Sequence, residues 1–587
     1  MDREYSPNAT VAEEAKYDEQ NIEISQLQGG HYIQPTLTKA SEQQPDWKPD
    51  LQIRAVIVTI VAALHWIQLL YTITVFAAFN RNIVAVLGDA GNQSWIPNAL
   101  NIVAVVVAPI LSHFSDTLGD KISRKWFLIV PCLFGAVGSA IAARAKSVNV
   151  VIVGSALVGV GVSNVGITGA IPSEVLPHKW RPIGQAFVFT IANGAGFASL
   201  LGPASAIVSD PVNGWRWLFY SSIIGWVVSA ALWAGLYFPP LRTTELTEHR
   251  PSVDWIGYIL LTFGSVFFIM GLTWGGVSYP WRSSHVLGTF LPGIALYILL
   301  GLWEWKGRSD GIFHHKLFAD INFPLVLLAI LIEGFVYLGF VNLYPGEIAT
   351  VYQHNLFKAV ERSLPFYGAF PVFLLLGGYY ATKTRDFITP IILGYAVFLG
   401  ATIGLETWPQ WSTDRNYALA GAGFSQPLTF LTIVAQFAAP PSLIATSTAI
   451  VLSIRSLGGA IGTAVVNSMV NSRVDKKLPA YIAAATIPLG LKPALLPEVI
   501  GAASGSTKLI VAIEKGKIPG VTLEILGAAN LAAAKAFSDS YRPAWIVIAS
   551  LSGVGLLSIL FLKRRREQLD YVIDAPLQHV HHTQSQA

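Results

Sequence analysis

From residue 54 onward the chain is a succession of apolar runs separated by short connectors holding Pro, Gly or charge. A membrane-spanning helix needs about 20 predominantly apolar residues. Runs of that kind fall at 54–79, 95–114, 126–145, 149–171, 183–208, 216–238, 254–274, 286–304, 323–344, 364–381, 388–405, 417–438, 442–468 and 543–562. The pattern predicts an all-α membrane protein with about fourteen transmembrane helices. Composition argues against buried helices of a soluble protein. The chain is 53% hydrophobic and 13% charged, whereas soluble domains carry roughly 25% charged residues.

The distribution of Lys and Arg orients the spans. With a cytosolic N-terminus, the inside loops hold Lys121, Arg124, Lys125, Lys179, Arg181, Lys306, Arg308, Lys383 and Arg385, and the tail adds Lys563 to Arg566. With Arg242, Arg250 and Lys316 these make sixteen basic residues, against eight in the short outside loops. An even number of spans puts both termini in the cytosol. The first 50 residues are polar and read as a disordered cytosolic tail without a signal peptide. Residues 239–252 read as a polar linker. Residues 469–542 read as a long outer loop whose apolar stretches, Leu496 to Ala503 and Leu523 to Ala534, form amphipathic helices on the outer face. Asn92 opens a glycosylation sequon on that side.

Other chemistries recede. The single cysteine, Cys132, excludes an intrachain disulfide framework, no Cys/His cluster has zinc spacing, and a net charge of +4 is too small and scattered for nucleic acid. No His or Asp cluster within the spans has catalytic spacing, so neither an enzyme nor a cofactor is expected.

The connector after the second span runs from Ser112 through Asp116 and Asp120 to Arg124-Lys125. An acid followed by paired bases at a helix end forms a switchable ion pair able to latch two bundles in one state. This segment resembles the G-x-L-a-D-r-x-G-r-k loop of the major facilitator superfamily, in a register centred on Asp116 or in one centred on Asp120. The stretch from Glu174 through Pro177 to Arg181 resembles the family's E-x-x-P-x-x-x-R junction. Gly202-Pro203 resembles the core of its antiporter motif, where small residues allow close helix approach. Asp254-Trp255-Ile256-Gly257 and Gly271 to Gly276 resemble the extra helix pair of fourteen-helix drug:proton antiporters. Arg455-Ser456-Leu457-Gly458-Gly459, continuing to Gly462, is also typical of that group. Within the group the chain is most similar to the fungal trichothecene efflux pump family and its siderophore-transporter relatives.

The resemblance implies a six-helix bundle at 54–238, an inserted pair at 253–305, a second six-helix bundle at 306–562 and a cytosolic tail at 563–587. It implies a secondary transporter of small amphipathic molecules working by alternating access. Proton-linked export and siderophore import by proton symport both fit; a non-transporting receptor is the reading of another class. The partners implied are a small-molecule substrate, protons and the lipid bilayer, around a monomer in the plasma membrane. Two positions depart from the family. Gly154-Ser155 stands where drug antiporters carry G-R, and Tyr71 stands where they carry an aspartate. Both missing residues are associated with proton coupling.

An ionisable residue inside a span is a functional hypothesis by default. Glu333, central in the ninth span, is the first candidate for proton or substrate coupling, against a structural role paired to Arg455. His65, which can titrate, and Arg455 join Glu333 as candidate coupling residues. His65, Gln68 and Thr72 share one face of the first span and, with Tyr71 beside them, form a polar stripe able to line a cavity. Trp66, Asn164, Thr168, Asn193, Phe335, Tyr337 and Gln436 complete the candidate cavity, whose aromatics suit a largely apolar cargo.

Overall fold

The computed structural model describes residues 53–574 apart from 89–91, 94, 119–121, 199–200, 211, 240–253, 277–278, 353–355, 408–412, 504–508, 510–512 and 514–516. The N-terminal tail, nearly all of the 239–252 linker, Asp120 and the tail beyond Asp574 therefore lie outside the described residues.

Thirteen helices among the described residues are long and apolar enough to cross a membrane. The first half holds α1 (Ile53–Ala78), the short α2 (Asn80–Leu87), α3 (Trp95–Leu118), α4 (Trp126–Ala143), α5 (Val148–Val162) and α6 (Val165–Val175). The pair α5–α6 is one span interrupted at Ser163 and Asn164, residues whose side chains compete for backbone hydrogen bonds. The expected span at 183–208 appears as α7 (Arg181–Ala198) and α8 (Leu201–Ser209), on either side of 199–200. Then come α9 (Arg216–Leu236) and the inserted pair α10 (Trp255–Trp274) and α11 (Ser284–Leu302). The second half holds α12 (Asn322–Glu347), α13 (Leu356–Thr384), α14 (Ile388–Thr407), α15 (Thr413–Ala438), α16 (Ile444–Thr486), α17 (Leu496–Ala503) and α18 (Leu523–Ile559). The face that the basic-residue bias assigns to the cytosol is called inner below.

Small residues bring α12 and α16 into backbone contact. A methyl group on Gly458 would lie 2.1 Å from the Leu331 carbonyl oxygen, one on Gly462 2.3 Å from that of Phe335, and one on Gly459 2.0 Å from the Leu338 side chain. The antiporter-like glycine behaves differently. Gly202 faces open space in this state, while Pro203 beside it is buried.

The segment 469–542 corrects the sequence reading. The expected helices at Leu496–Ala503 and from Leu523 are present, but the flanks are not loop: α16 continues unbroken to Thr486, and the helix beginning at Leu523 runs on as α18, well before the expected span. At 1.5 Å per residue, α16 is about 65 Å long, roughly twice the bilayer's hydrocarbon core. The two extensions and α17 enclose a small core of their own, including Leu478, Ile482, Val499, Ile525, Ala529 and Ala533. Charges such as Arg473, Lys476, Lys535 and Asp539 interrupt the apolar run, but the buried apolar stripes of both helices continue past them.

Candidate functional site

The two halves meet through α3 against α16, α6 against α16 and α7 against α13. At the inner ends of these contacts a charge chain crosses the boundary. Arg124 pairs with Asp116 at 2.5 Å and also with Glu174, all three buried or nearly so. The second oxygen of Asp116 accepts the backbone N–H and the hydroxyl of Thr446, each at 2.7 Å. Thr446 is in the first turn of α16, where backbone donors have no helical partner and a negative charge is favoured. Asp116 therefore joins the Arg124–Glu174 cluster of the first half to the start of a helix in the second. Of the predicted motif residues, the structure unites Asp116, Arg124 and Glu174. Lys125 turns instead to the Phe238 ring, 4.1 Å from its centroid.

Beside this chain, the Ser173 hydroxyl donates to the Gln436 carbonyl oxygen at 2.6 Å, and the Gln436 amide donates to the Gly169 carbonyl and the Thr448 hydroxyl. Gln436, expected in a cavity wall, is thus a boundary contact at the inner end. Trp66 lies near the same boundary, its ring tilted against that of Phe189 at 4.7 Å and close to Gly169.

A further crossing lies in the C-terminal tail. The Val572 carbonyl accepts the His178 N–H at 3.0 Å, and the Asp570 carbonyl accepts the Lys179 N–H at 2.7 Å. Asp570 and Asp574 lie 2.8 and 3.1 Å from the two His178 ring nitrogens, and Asp574 also pairs with Arg181. Burial opposes a charge on His178, but the two carboxylates outweigh it and hold its pKa above the ordinary value. Asp574 is held at about 2: burial pushes it up, and His178 and Arg181 more than compensate. The arginines upstream fasten the tail to the second half, Arg564 and Arg566 to Asp386 and Arg565 to Asp320. Sequence reasoning placed Arg181 in a motif and the basic run beneath the last helix. It gave no signal for His178 or Asp574, because their pairing spans 396 positions.

Inside the second half, Glu333 is fully buried and accepts from the Arg455 Nε at 2.6 Å. Arg455 also donates to the Leu428 carbonyl at 2.7 Å and to the Thr432 hydroxyl. One Glu333 oxygen has no partner. The alternative weighed from sequence, a carboxylate paired to Arg455, is the geometry observed. Tyr337, one turn away, stacks on Phe424 at 4.8 Å, and Phe335 packs over Gly462.

The polar face of α1 departs from expectation. The His65 ring bonds the Asn164 carbonyl oxygen at 3.0 Å and meets the edges of Trp226 and Trp233. The Gln68 amide donates to Thr72 and to Ser222, and the Tyr71 hydroxyl donates to the Leu218 carbonyl. These residues join α1 to α6 and α9 within one bundle instead of forming a cavity stripe. Buried amide and imidazole groups need partners, and the adjacent helices supply them. Thr168 and Asn193 bond to carbonyls one turn back in their own helices. Glu347, which the sequence reading passed over, accepts from Trp545 at 3.2 Å and Tyr417 at 3.5 Å.

Comparison with known proteins places this geometry. The profile of the fungal trichothecene efflux pump family matches residues 36–584. The trichothecene efflux pump TRI12 of Fusarium sporotrichioides is 24% identical over 83% of this chain and 85% of its own. The MFS-type transporter prx5 of Penicillium rubens is 26% identical, covering 89% and 93%, and the efflux pump dotC of Dothistroma septosporum is 24% identical, covering 88% and 86%. Among solved structures, the human organic anion transporter MFSD10 aligns with a TM-score of 0.50 at 12% identity, over 86% of this chain and all of that one. A double-Trp mutant of XylE aligns equally well at 12% identity, over 88% and 98%. The structural likenesses establish the major facilitator fold.

Proposed function

The chain belongs to the fungal trichothecene efflux pump family, and from that premise we propose that it exports small amphipathic molecules, such as toxins or secondary metabolites, by alternating access coupled to protons. It is a multi-pass membrane transporter and not an enzyme. The observation that carries the reading is the Asp116 bridge to Thr446, a charge-assisted contact between the two halves on the inner face. Such a contact belongs to a state closed on that side, and it must break for the inner mouth to open. Gln436 with Ser173 and the docked tail reinforce the same closure.

In this reading the transporter works as a monomer in the plasma membrane, with both termini cytosolic, an orientation that the basic-residue bias supports. Cargo meets the aromatic walls near Trp66, Phe335 and Tyr337. Glu333 is the candidate coupling group: its free oxygen can accept a proton, and Arg455 is the charge that would be released. The test is transport in sealed inside-out vesicles with an imposed pH gradient and a panel of sesquiterpenoid toxins and siderophores. Gradient-dependent accumulation of toxins supports the proposal. Accumulation that ignores the gradient removes proton coupling, and siderophore movement alone would reassign the cargo.

A further inference from the structure

The inserted helix pair carries a buried acidic site on its inner end. Asp254 caps α10: one oxygen accepts the Gly257 N–H and the Trp303 indole N–H, both at 3.0 Å. Glu304, in the π-helical turn Trp303–Gly307 that follows α11, accepts the Phe313 N–H at 3.2 Å through one oxygen. Among the described residues, the remaining oxygens, Oδ2 of Asp254 and Oε1 of Glu304, have no hydrogen-bond partner, although the residues are only 1% and 4% exposed. These two oxygens converge. A methyl group on Gly257 would lie 2.2 Å from the first and 2.9 Å from the second, so both face the same point, and the carboxyls are within hydrogen-bonding reach of each other.

Two acceptors facing each other in a dry site repel when both are ionised, and each lacks a donor. One proton between them removes both faults. We propose that Asp254 and Glu304 bind a single shared proton, forming a protonation site that fastens the inner ends of α10 and α11 together. A metal ion fits less well: no group of three or more His, Cys, Asp or Glu with metal-binding geometry occurs among the described residues. The other ionisable groups facing the site do not supply the missing donor. Arg308 pairs with Asp310 at 2.8 Å, the His315 ring bonds the Glu304 carbonyl, and the His314 ring accepts the Lys316 N–H. On the far side, the Tyr258 hydroxyl and the His113 Nδ1 of α3 are buried without partners.

The site bears on the inner latch. Ile110 and Phe114 of α3 pack with Tyr258, Leu261 and Ile312 against the inserted pair, and Phe114 is two residues from Asp116. Loss of the shared proton leaves two like charges beneath this packing and loosens the pair from α3. The inference is independent of whether transport is proton-linked.

The test is equilibrium unfolding of the full-length protein by SDS titration in mixed micelles between pH 5 and 9. A proton bound on folding makes the unfolding constant rise by up to tenfold per pH unit as pH increases. Glu304→Gln supplies an amide donor to Asp254, and Asp254→Ser keeps the helix cap without the second charge. Each variant is expected to fold and to lose about one proton's worth of that pH slope relative to the wild type. Variants that retain the full wild-type slope would overturn the proposal. So would a wild-type unfolding constant that is flat with pH, or one that responds to sodium or potassium at fixed pH in a Glu304-dependent way. If both variants fail to fold, infrared spectra of the wild type decide. A protonated carboxyl band that titrates in this range is expected, and its absence overturns the assignment.

Discussion

Asp116 and Thr446 are 330 positions apart, yet one carboxylate oxygen of the first receives both the backbone N–H and the hydroxyl of the second. The contact is a charge-assisted cap on a helix that belongs to the opposite half of the molecule. Asp116→Asn keeps the shape and removes the charge shared with Arg124. Hydrogen bonds to charged groups contribute about 1.5–3 kcal/mol, so the inner-closed state should lose roughly a tenfold or larger share of its population. Turnover measured in vesicles should fall by about that factor, with substrate affinity within about twofold of wild type. Unchanged turnover would leave the Asp116 bridge without a role in the cycle.

The Glu333–Arg455 pair makes a different prediction. Removing one partner of a buried pair leaves an uncompensated charge and costs about 3–5 kcal/mol. Glu333→Gln should lower thermal stability strongly, and Glu333→Gln combined with Arg455→Gln should restore much of it. A double-mutant cycle on melting temperature measures the coupling. If Glu333 also carries the transported proton, the single variant loses the dependence of transport on the imposed gradient. A variant that is stable enough to assay and retains that dependence assigns Glu333 to structure alone.

The docked tail should respond to pH through His178. Its pKa is raised in the folded protein, so its stabilising contribution is complete below the free histidine value of about 6.5 and is lost as pH rises through the raised one. Asp574, held at about 2, keeps its contribution until pH falls toward that value. The tail is therefore held more tightly under mildly acidic conditions and loosened, though still tied through Asp574 and Arg181, as the inner solution becomes alkaline. Hydrogen exchange over residues 566–574 should accelerate between pH 6 and pH 9, once corrected for intrinsic exchange. His178→Ala should flatten that change, and Asp574→Asn should raise exchange at both values.

The outer extension should fail separately from the transport core. Ile525 and Ala529 are buried in the small core it encloses. Ile525→Ala is expected to cost about 2–5 kcal/mol locally, and Ala529→Glu to open the pairing outright. Limited proteolysis should then cleave within 473–540 while the remaining spans stay protected.

Span positions were legible because lipid demands apolar residues over a fixed length, and that demand is local. Asp116, Arg124 and Glu174 were legible because an acid and paired bases at helix ends stand out against apolar surroundings. Thr446 was not: a threonine at a helix start is common, and nothing nearby in sequence marks its partner. His178 and Asp574 were hidden for the same reason, the tail being polar and its docking partner distant in sequence. The 469–542 segment was misread because hydropathy reports contact with lipid, whereas Leu478, Ile482, Ala529 and Ala533 continue a helix that has left the lipid. On α1, periodicity correctly grouped His65, Gln68 and Thr72 on one face, but it could not say whether that face meets substrate or α6 and α9.

The unbroken length of α16 and α18 has a mechanical consequence. Both helices belong to the second bundle and project beyond it as continuous helices, α16 with Pro479 inside its projecting part, so the extension follows the movement of that bundle. Eighteen residues past position 468 amount to about 27 Å. A rocking of about 10° in the bundle would sweep the tip through roughly 5 Å at that radius, a displacement larger than most side-chain motions. If the bundles rock as proposed, the extension magnifies that motion, and a spin label or fluorophore near Ile487 is expected to follow each turnover without entering the translocation path.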